Sequence, residues 1–267
     1  MKVIKANEAF TLTISGETKF SYVKYFVQQD GALYYGKWKN RYQPPETLDQ
    51  LEEVEKIQTD DRGPAIQSTW STIYIKSPNL LSYTDGCDVE KRILREVSIC
   101  EILRGNPHPN IAAYYGCQES GGRVSGLCFK RYTTTLLDRF NPRHLNKEGF
   151  RLRRREFVSD EDGDRMKGIV DGIRDGITHL HSLGLVHNDI NPANVMFDES
   201  GDGVVPVIID FDSCRRIGES LSETETKRTH QWHDPKVESA VEKNDLDAWE
   251  ELRIWLVESP DEEFLFR

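Results

Sequence analysis

The spacing of apolar positions changes along this chain. Phe20–Gln28 and Ala32–Trp38 are rich in aromatic and β-branched residues and flank Asp30-Gly31, which predicts a β-hairpin. Pro44-Pro45 interrupts that pattern. Leu48, Leu51, Val54 and Ile57 then recur at a spacing that predicts a weakly amphipathic helix over Thr47–Gln58, and Pro64 breaks the chain again. Ser71–Lys76 predicts a short strand closed by Pro78. From Asp88 onward, Val89, Ile93, Val97 and Cys100 predict a helix that Gly105 and Pro107 end. Ile111–Cys117 and Gly126–Tyr132 predict strands around the turn Glu119-Ser-Gly-Gly122, and the basic stretch Asn141–Arg155 predicts a solvated loop, with an acidic docking partner as its functional counterpart. Met166, Ile169, Val170, Ile173, Ile177 and Leu180 form a long stripe, ended by Gly184. Val195–Phe197 and Val204–Ile209 predict two short strands around Asp198–Gly203, and Leu246, Trp249, Leu252 and Leu256 a last helix. Strands dominate the first half and helices the second, an α+β plan with unequal lobes.

Chemistry concentrates where the long helix stops. His187-Asn-Asp-Ile-Asn-Pro-Ala-Asn194 forms a loop, a hairpin follows, and Ile208-Ile-Asp-Phe-Asp212 ends its second strand. A rigid strand-turn-strand thereby brings Asp189, Asn194 and Asp210 together. Phosphoryl transfer needs such a set: one carboxylate to orient a hydroxyl and take its proton, another carboxylate and an amide oxygen to hold magnesium against phosphates.

These residues resemble the protein kinase superfamily. His187-Asn188-Asp189 is similar to the catalytic-loop His-Arg-Asp, Asn194 stands five residues on like the family's magnesium-binding Asn, and Asp210-Phe211-Asp212 resembles Asp-Phe-Gly. Upstream, Lys76 in Ile73-Tyr-Ile-Lys76 resembles the lysine that pairs the α/β-phosphates. Glu96 resembles the helix-C glutamate that clamps it, with Glu101 as its rival, and His108-Pro-Asn-Ile111 resembles the element after helix C. Gly126–Tyr132 resembles the strand entering the inter-lobe hinge, which implies Phe129 near the gatekeeper and backbone groups of Lys130, Arg131 and Tyr132 facing adenine. Asp245-Leu-Asp-Ala-Trp249 resembles the start of helix F, whose buried Asp braces the catalytic loop. Several blocks (Arg95–Asn110, Gly126–Tyr132, His179–Cys214) are similar to a group of short kinase-like proteins of filamentous fungi. The resemblance covers roughly residues 71–257 and implies a bilobal α+β kinase fold: a β-rich N-lobe carrying helix C, and a helical C-lobe shortened at its C-terminal end. It divides the chain into an extension at 1–70 with a β-hairpin of the N-lobe, an N-lobe and hinge at 71–132, and a C-lobe at 133–267.

The implied activity is ATP- and Mg²⁺-dependent transfer of the γ-phosphoryl group to a serine or threonine hydroxyl of a protein. Four departures qualify the match. No GxGxxG precedes Lys76, so the Asp30-Gly31 hairpin is the candidate phosphate flap. Asn191 replaces the lysine that touches the γ-phosphate. Asn188 replaces the arginine that reads a phosphorylated loop, so activity is expected not to depend on phosphorylation of Ser220, Ser222, Thr224, Thr226 or Thr229. The chain leaves no room for the last helices of a large lobe. These departures keep two alternatives open: a pseudokinase that binds nucleotide or a partner without turnover, and a small-molecule kinase of the aminoglycoside or choline type.

Composition narrows the classes. A formal net charge of −10 argues against nucleic-acid and anionic-membrane binding. No stretch is apolar enough to span a bilayer, and the N-terminus lacks a signal-like core. Five scattered cysteines suit a reducing compartment, so the expected location is cytoplasmic or nuclear. His230-Gln-Trp-His233 is half of a metal pattern that nothing in the sequence completes.

Overall fold

The structure, a computed structural model, describes residues 1–12, 18–30, 32–57, 73–77, 89–120, 123–157, 163–201, 203–223, 226–257 and 263–266. Gly31, Pro64, Ser71, Thr72, Pro78, Cys87, Asp88, Gly121, Gly122 and Thr224, on which parts of the sequence reading fell, lie outside them. The chain forms two compact units: Met1–Gly63 with Pro78–Cys87 and Glu119–Ser125, and Pro64–Ser77 with Asp88–Gln118 and Gly126–Arg267.

The first unit is an antiparallel meander of β1 (Lys2–Leu12), β2 (Thr18–Gln29), β3 (Ala32–Trp38) and β4 (Glu52–Ile57), in the order 1-2-3-4. The hairpin expected around Asp30 is present as β2–β3, with Gln29 opposite Ala32. Alternation along β2 puts Val23, Tyr25 and Val27 on one face, where they bury with Leu51. The helix expected over Thr47–Gln58 is not formed. A single 3₁₀ turn, Leu48–Gln50, gives way to β4. The acidic run Glu52–Glu55 finds cross-strand partners there: Lys37 pairs with Glu53, and Lys39 with Glu52 at 2.8 Å. The i, i+3 spacing of four apolar residues could not compete with a ladder whose opposite strand already carried the matching charges.

The second unit holds the remaining elements. β5 (Ile73–Lys76) pairs with β7 (Arg123–Lys130), and β6 (Tyr114–Ser120) lies on the other side of β7, whose turn end belongs to the first unit. Gly126 makes the β5–β7 approach: a Cβ there would sit 2.7 Å from Ile75 Cγ2. α1 (Val89–Gly105) packs Ile93, Val97 and Cys100 of the expected stripe against the core and buries Glu96, Ile99 and Leu103 beside them, so its inner face is wider than the stripe and includes an acid. α2 (Leu136–Phe140) and α3 (Lys147–Arg153) follow. The stretch expected as a solvated loop is therefore partly helical, and Lys147, Phe150 and Arg154 within it are buried. Its cations are drawn inward by carbonyl and carboxylate partners that the local sequence does not reveal.

α4 (Gly163–Ser182) buries the whole expected stripe from Met166 to Leu180, and Gly184, at φ 72, ends it in the left-handed conformation glycine adopts freely. β8 (Leu185–Val186) and the hairpin of β9 (Val195–Asp198) and β10 (Val205–Ile208) carry the chain to β11 (Arg215–Arg216), which pairs with β8. α5 (Glu242–Leu256) buries Asp245, Ala248, Glu251, Leu252 and Trp255, while Leu246 is exposed. The helix is where its apolar pattern placed it, but two acids share its inner face.

Candidate active site

Lys76 closes β5, opposite Leu127 of β7. Its Nζ lies 2.6 Å from Glu96 Oε1 on α1 and 2.5 Å from Asp210 Oδ1 after β10. Burial disfavours a charged amine, yet Glu96 and Asp210 outweigh it and hold Lys76 above the ordinary lysine range. Burial acts the other way on the acids. Lys76 overcomes it at Asp210, whose carboxyl falls below the usual range. At Glu96, only 7% exposed, burial prevails and the carboxyl rises. Glu101, the rival of Glu96, pairs instead with Arg104 one turn along the same helix. Asp212, in the position of the family's glycine, faces Arg92 of α1 at 3.7 Å, a link between α1 and the segment after β10 that sequence reading missed.

The loop after β8 is braced from below. Asp245 is fully buried and accepts three hydrogen bonds: His187 N–H at 2.8 Å and His181 Nε2–H at 3.0 Å on Oδ2, and Asn188 N–H at 2.7 Å on Oδ1. The helix-F-like role expected of Asp245 thus has its geometry, with His181 as a third donor the sequence did not announce. Asn188 sits at φ 64 and spends its amide on Val186 O, Ser213 O and Asn244 Nδ2. A neutral brace occupies the place of the expected arginine. His187 Nε2 hydrogen-bonds Ile209 O at 3.0 Å, tying the loop to the strand that presents Asp210.

On this platform, Asp189 Oδ2 accepts from Asn194 Nδ2 at 2.9 Å and Oδ1 accepts from Thr229 N–H at 2.7 Å. Burial raises the Asp189 carboxyl above its ordinary value, against the opposing pull of Thr229. Asn191 donates to Asp189 O and Thr229 Oγ1 and accepts from Ala193 N–H, so it shapes the loop rather than reaching outward. Thr229, read from sequence only as one of several hydroxyls in a polar segment, is a direct partner of Asp189. Asp210 holds φ 66, a conformation aspartate tolerates better than most residues.

Phe129 is buried against Tyr114, their rings 5.4 Å apart. The N–H of Lys130 is taken by Ala113 O at 2.9 Å, and its Nζ binds Asp198 at 2.6 Å and Ser200 at 2.9 Å. Arg131 donates to Ile73 O at 2.8 Å, and Tyr132 Oη accepts from Ala113 N–H.

Among the described residues no cluster of three His, Cys, Asp or Glu could cage a metal. The donor set instead offers one carboxylate, Asp210, and one amide, Asn194, whose nitrogen is already spent on Asp189. That pair fits magnesium, which takes oxygen ligands, commonly uses one or two protein carboxylates, and fills its shell with phosphate and water. His233, from the half metal pattern, hydrogen-bonds Thr229 O at 2.8 Å.

Residues 68–255 match the family model of the protein kinase domain. Curated relatives include a serine/threonine-protein kinase/endoribonuclease of Hypocrea jecorina, 25% identical over 143 residues (53% of this chain, 10% of that protein). The serine/threonine-protein kinase/endoribonuclease IRE2 of Homo sapiens is 27% identical over 140 residues (48% and 13%). Mitogen-activated protein kinase kinase kinase 5 of Arabidopsis thaliana is 26% identical over 159 residues (58% and 19%). The matches thus span a tenth to a fifth of these larger proteins. The family match and the lysine–glutamate–aspartate convergence agree: this chain belongs to the protein kinase domain family, with its α+β fold.

Proposed function

We propose that this domain transfers the γ-phosphoryl group of ATP to a serine or threonine hydroxyl of a protein, with Mg²⁺. The observation that carries the reading is Lys76 Nζ bonded at once to Glu96 and Asp210, residues 20 and 134 positions away. Such a bridge holds a cation beside a metal-binding carboxylate, where the phosphates of a nucleotide need both. Glu96 fixes the amine, and the third N–H of Lys76 is free to turn to a phosphate oxygen. Asp189, oriented by Asn194 and Thr229, receives the acceptor hydroxyl and its proton. Asn194 and Asp210 would hold magnesium, which when bound neutralises phosphate charge. Backbone groups of residues 130–132 other than the Lys130 N–H would meet adenine.

One observation favours a second reading, nucleotide binding without turnover. Asn191 is consumed by local hydrogen bonds, so the catalytic loop extends no cation to the γ-phosphate at that position. The test is ADP release with Mg·ATP, with mass spectrometry of Ser/Thr autophosphorylation, for wild type and Asp189→Asn. The proposal expects a loss of roughly 10²–10⁴-fold in the variant. Equal rates in both proteins refute it. Mg·ATP that raises Tm while wild type shows no turnover establishes the second reading.

A further inference from the structure

The reaction just proposed leaves a buried charge pair without a part in it. Lys147 opens α3 and Glu251 lies within α5. Their side chains are 3% and 0% exposed, with Nζ 2.5 Å from Oε2, an ion pair closed off from solvent. Burial pushes the amine down and the carboxyl up, each against the pull of its partner. An apolar pair of similar volume is often as stable as a buried ion pair, so packing alone does not account for this one.

What distinguishes the pair is what it holds. Lys147 Nζ donates to Gln231 O at 2.7 Å and to Phe266 O at 3.3 Å, and Glu251 Oε1 accepts from Phe266 N–H at 2.5 Å. The rings of Trp232 and Phe264 stand 4.8 and 4.3 Å from the same ammonium. Gln231 sits at φ 68, which a non-glycine residue keeps only where its surroundings impose it. Two residues upstream, the Thr229 amide donates to Asp189. Trp232 N–H and His233 Nδ1–H both close back on Thr229 O, at 3.1 and 2.8 Å. The turn 229–233 is therefore a short hydrogen-bonded unit pinned to Asp189 at one end and to Lys147 at the other.

We infer that Lys147, held by Glu251, is a positioning residue for phosphoryl transfer: by fixing the Gln231 carbonyl it sets the turn whose Thr229 amide orients Asp189. The inference rests on the kinase reading for its rate effect, but the turn's order can be measured without turnover. In Lys147→Met/Glu251→Gln the cation is gone, no unpaired charge is left, and the acceptor for Phe266 N–H is kept. The expected result is an unchanged KM for ATP, kcat lower by roughly 10–100-fold, and faster hydrogen exchange at the Thr229 and Trp232 amides with α4 unaffected. Lys147→Arg, which keeps a cation on Glu251 and a donor for Gln231, should recover most of kcat. A folded double variant with wild-type kcat and wild-type exchange at both amides overturns the inference. If wild type itself transfers no phosphate, the kinase reading falls and exchange alone decides: unchanged protection at Thr229 and Trp232 overturns the positioning role, and lost protection upholds it. Should the double variant not fold, Glu251→Gln alone keeps the acceptor for Phe266 N–H, removes the charge opposite Lys147 and is expected to lower kcat severalfold; unchanged kcat overturns the inference.

Discussion

Asp245→Asn tests whether the catalytic loop depends on a carboxylate beneath it. The substitution keeps shape and volume but replaces one oxygen by an NH₂ group. Asp245 accepts two donors on Oδ2 and one on Oδ1, all with the side chain fully buried. The best amide rotamer keeps its oxygen towards His187 N–H and His181, and turns NH₂ against the Asn188 N–H. One charge-assisted hydrogen bond is lost, worth about 1.5–3 kcal/mol. A buried donor is left facing another donor, which adds about 1–3 kcal/mol. Taking roughly 3 kcal/mol as the lower end, Tm should fall by about 6–12 °C for a domain of this size. Phosphoryl transfer should fall beyond the loss of folded protein, because His187 and Asn188 immediately precede Asp189. Thermal melts with and without Mg·ATP, and rates corrected for folded fraction, supply the numbers. Asp247→Asn, two residues on and paired with exposed Lys243, is the control, expected within about 0.5 kcal/mol of wild type. An Asp245→Asn protein with wild-type Tm and rate would falsify the brace.

Two further outcomes follow from the same geometry. Burial holds the Asp189 carboxyl above its ordinary range, and only its ionised form accepts a proton, so the rate should fall as pH drops, with an acid limb above that of a free aspartate. A pH–rate profile flat down to about pH 4 would contradict this. Gly126→Ala places a methyl 2.7 Å from Ile75 Cγ2 and 3.3 Å from Lys76 O, and urea denaturation should show a loss of about 1–3 kcal/mol. No loss would mean that β5 and β7 are not as close as described.

Much of the site was readable from the residues because spacing along a loop and hairpin constrains geometry tightly. Asp189, Asn194 and Asp210 are separated by one turn and one hairpin, and Lys76 and Glu96 each end or line an element the apolar pattern could find. What apolar periodicity alone did not place were the acids on the inner faces of α1 and α5, of which the family resemblance named Glu96 and Asp245 but not Glu251; the α4 stripe it placed in full. Periodicity counts apolar residues, so it placed Leu246 inward on α5, where Asp245 and Glu251 are buried, and overlooked Glu96 on the inner face of α1. Each acid is inside because its partner arrives from elsewhere: Lys76 from β5, the loop amides at 187 and 188, Lys147 from α3. For the same reason Asn141–Arg155 read as a solvated loop. Thr229 also shows why a segment read only for hydroxyls misleads. Its side chain accepts from Asn191, so an alanine there disturbs the catalytic loop whether or not the residue is ever phosphorylated.

The connector from β7 to α2 is fastened on both flanks. Lys130 is tied to Asp198 and Ser200 in the β9–β10 hairpin, Arg131 to Ile73 on β5, and the Thr134 carbonyl to Phe197 N–H. A strap anchored at so many points behaves as a plate, not as a pivot. Separating β7 from the β9–β10 hairpin would break the partly exposed Lys130–Asp198 pair, a contact that added salt weakens.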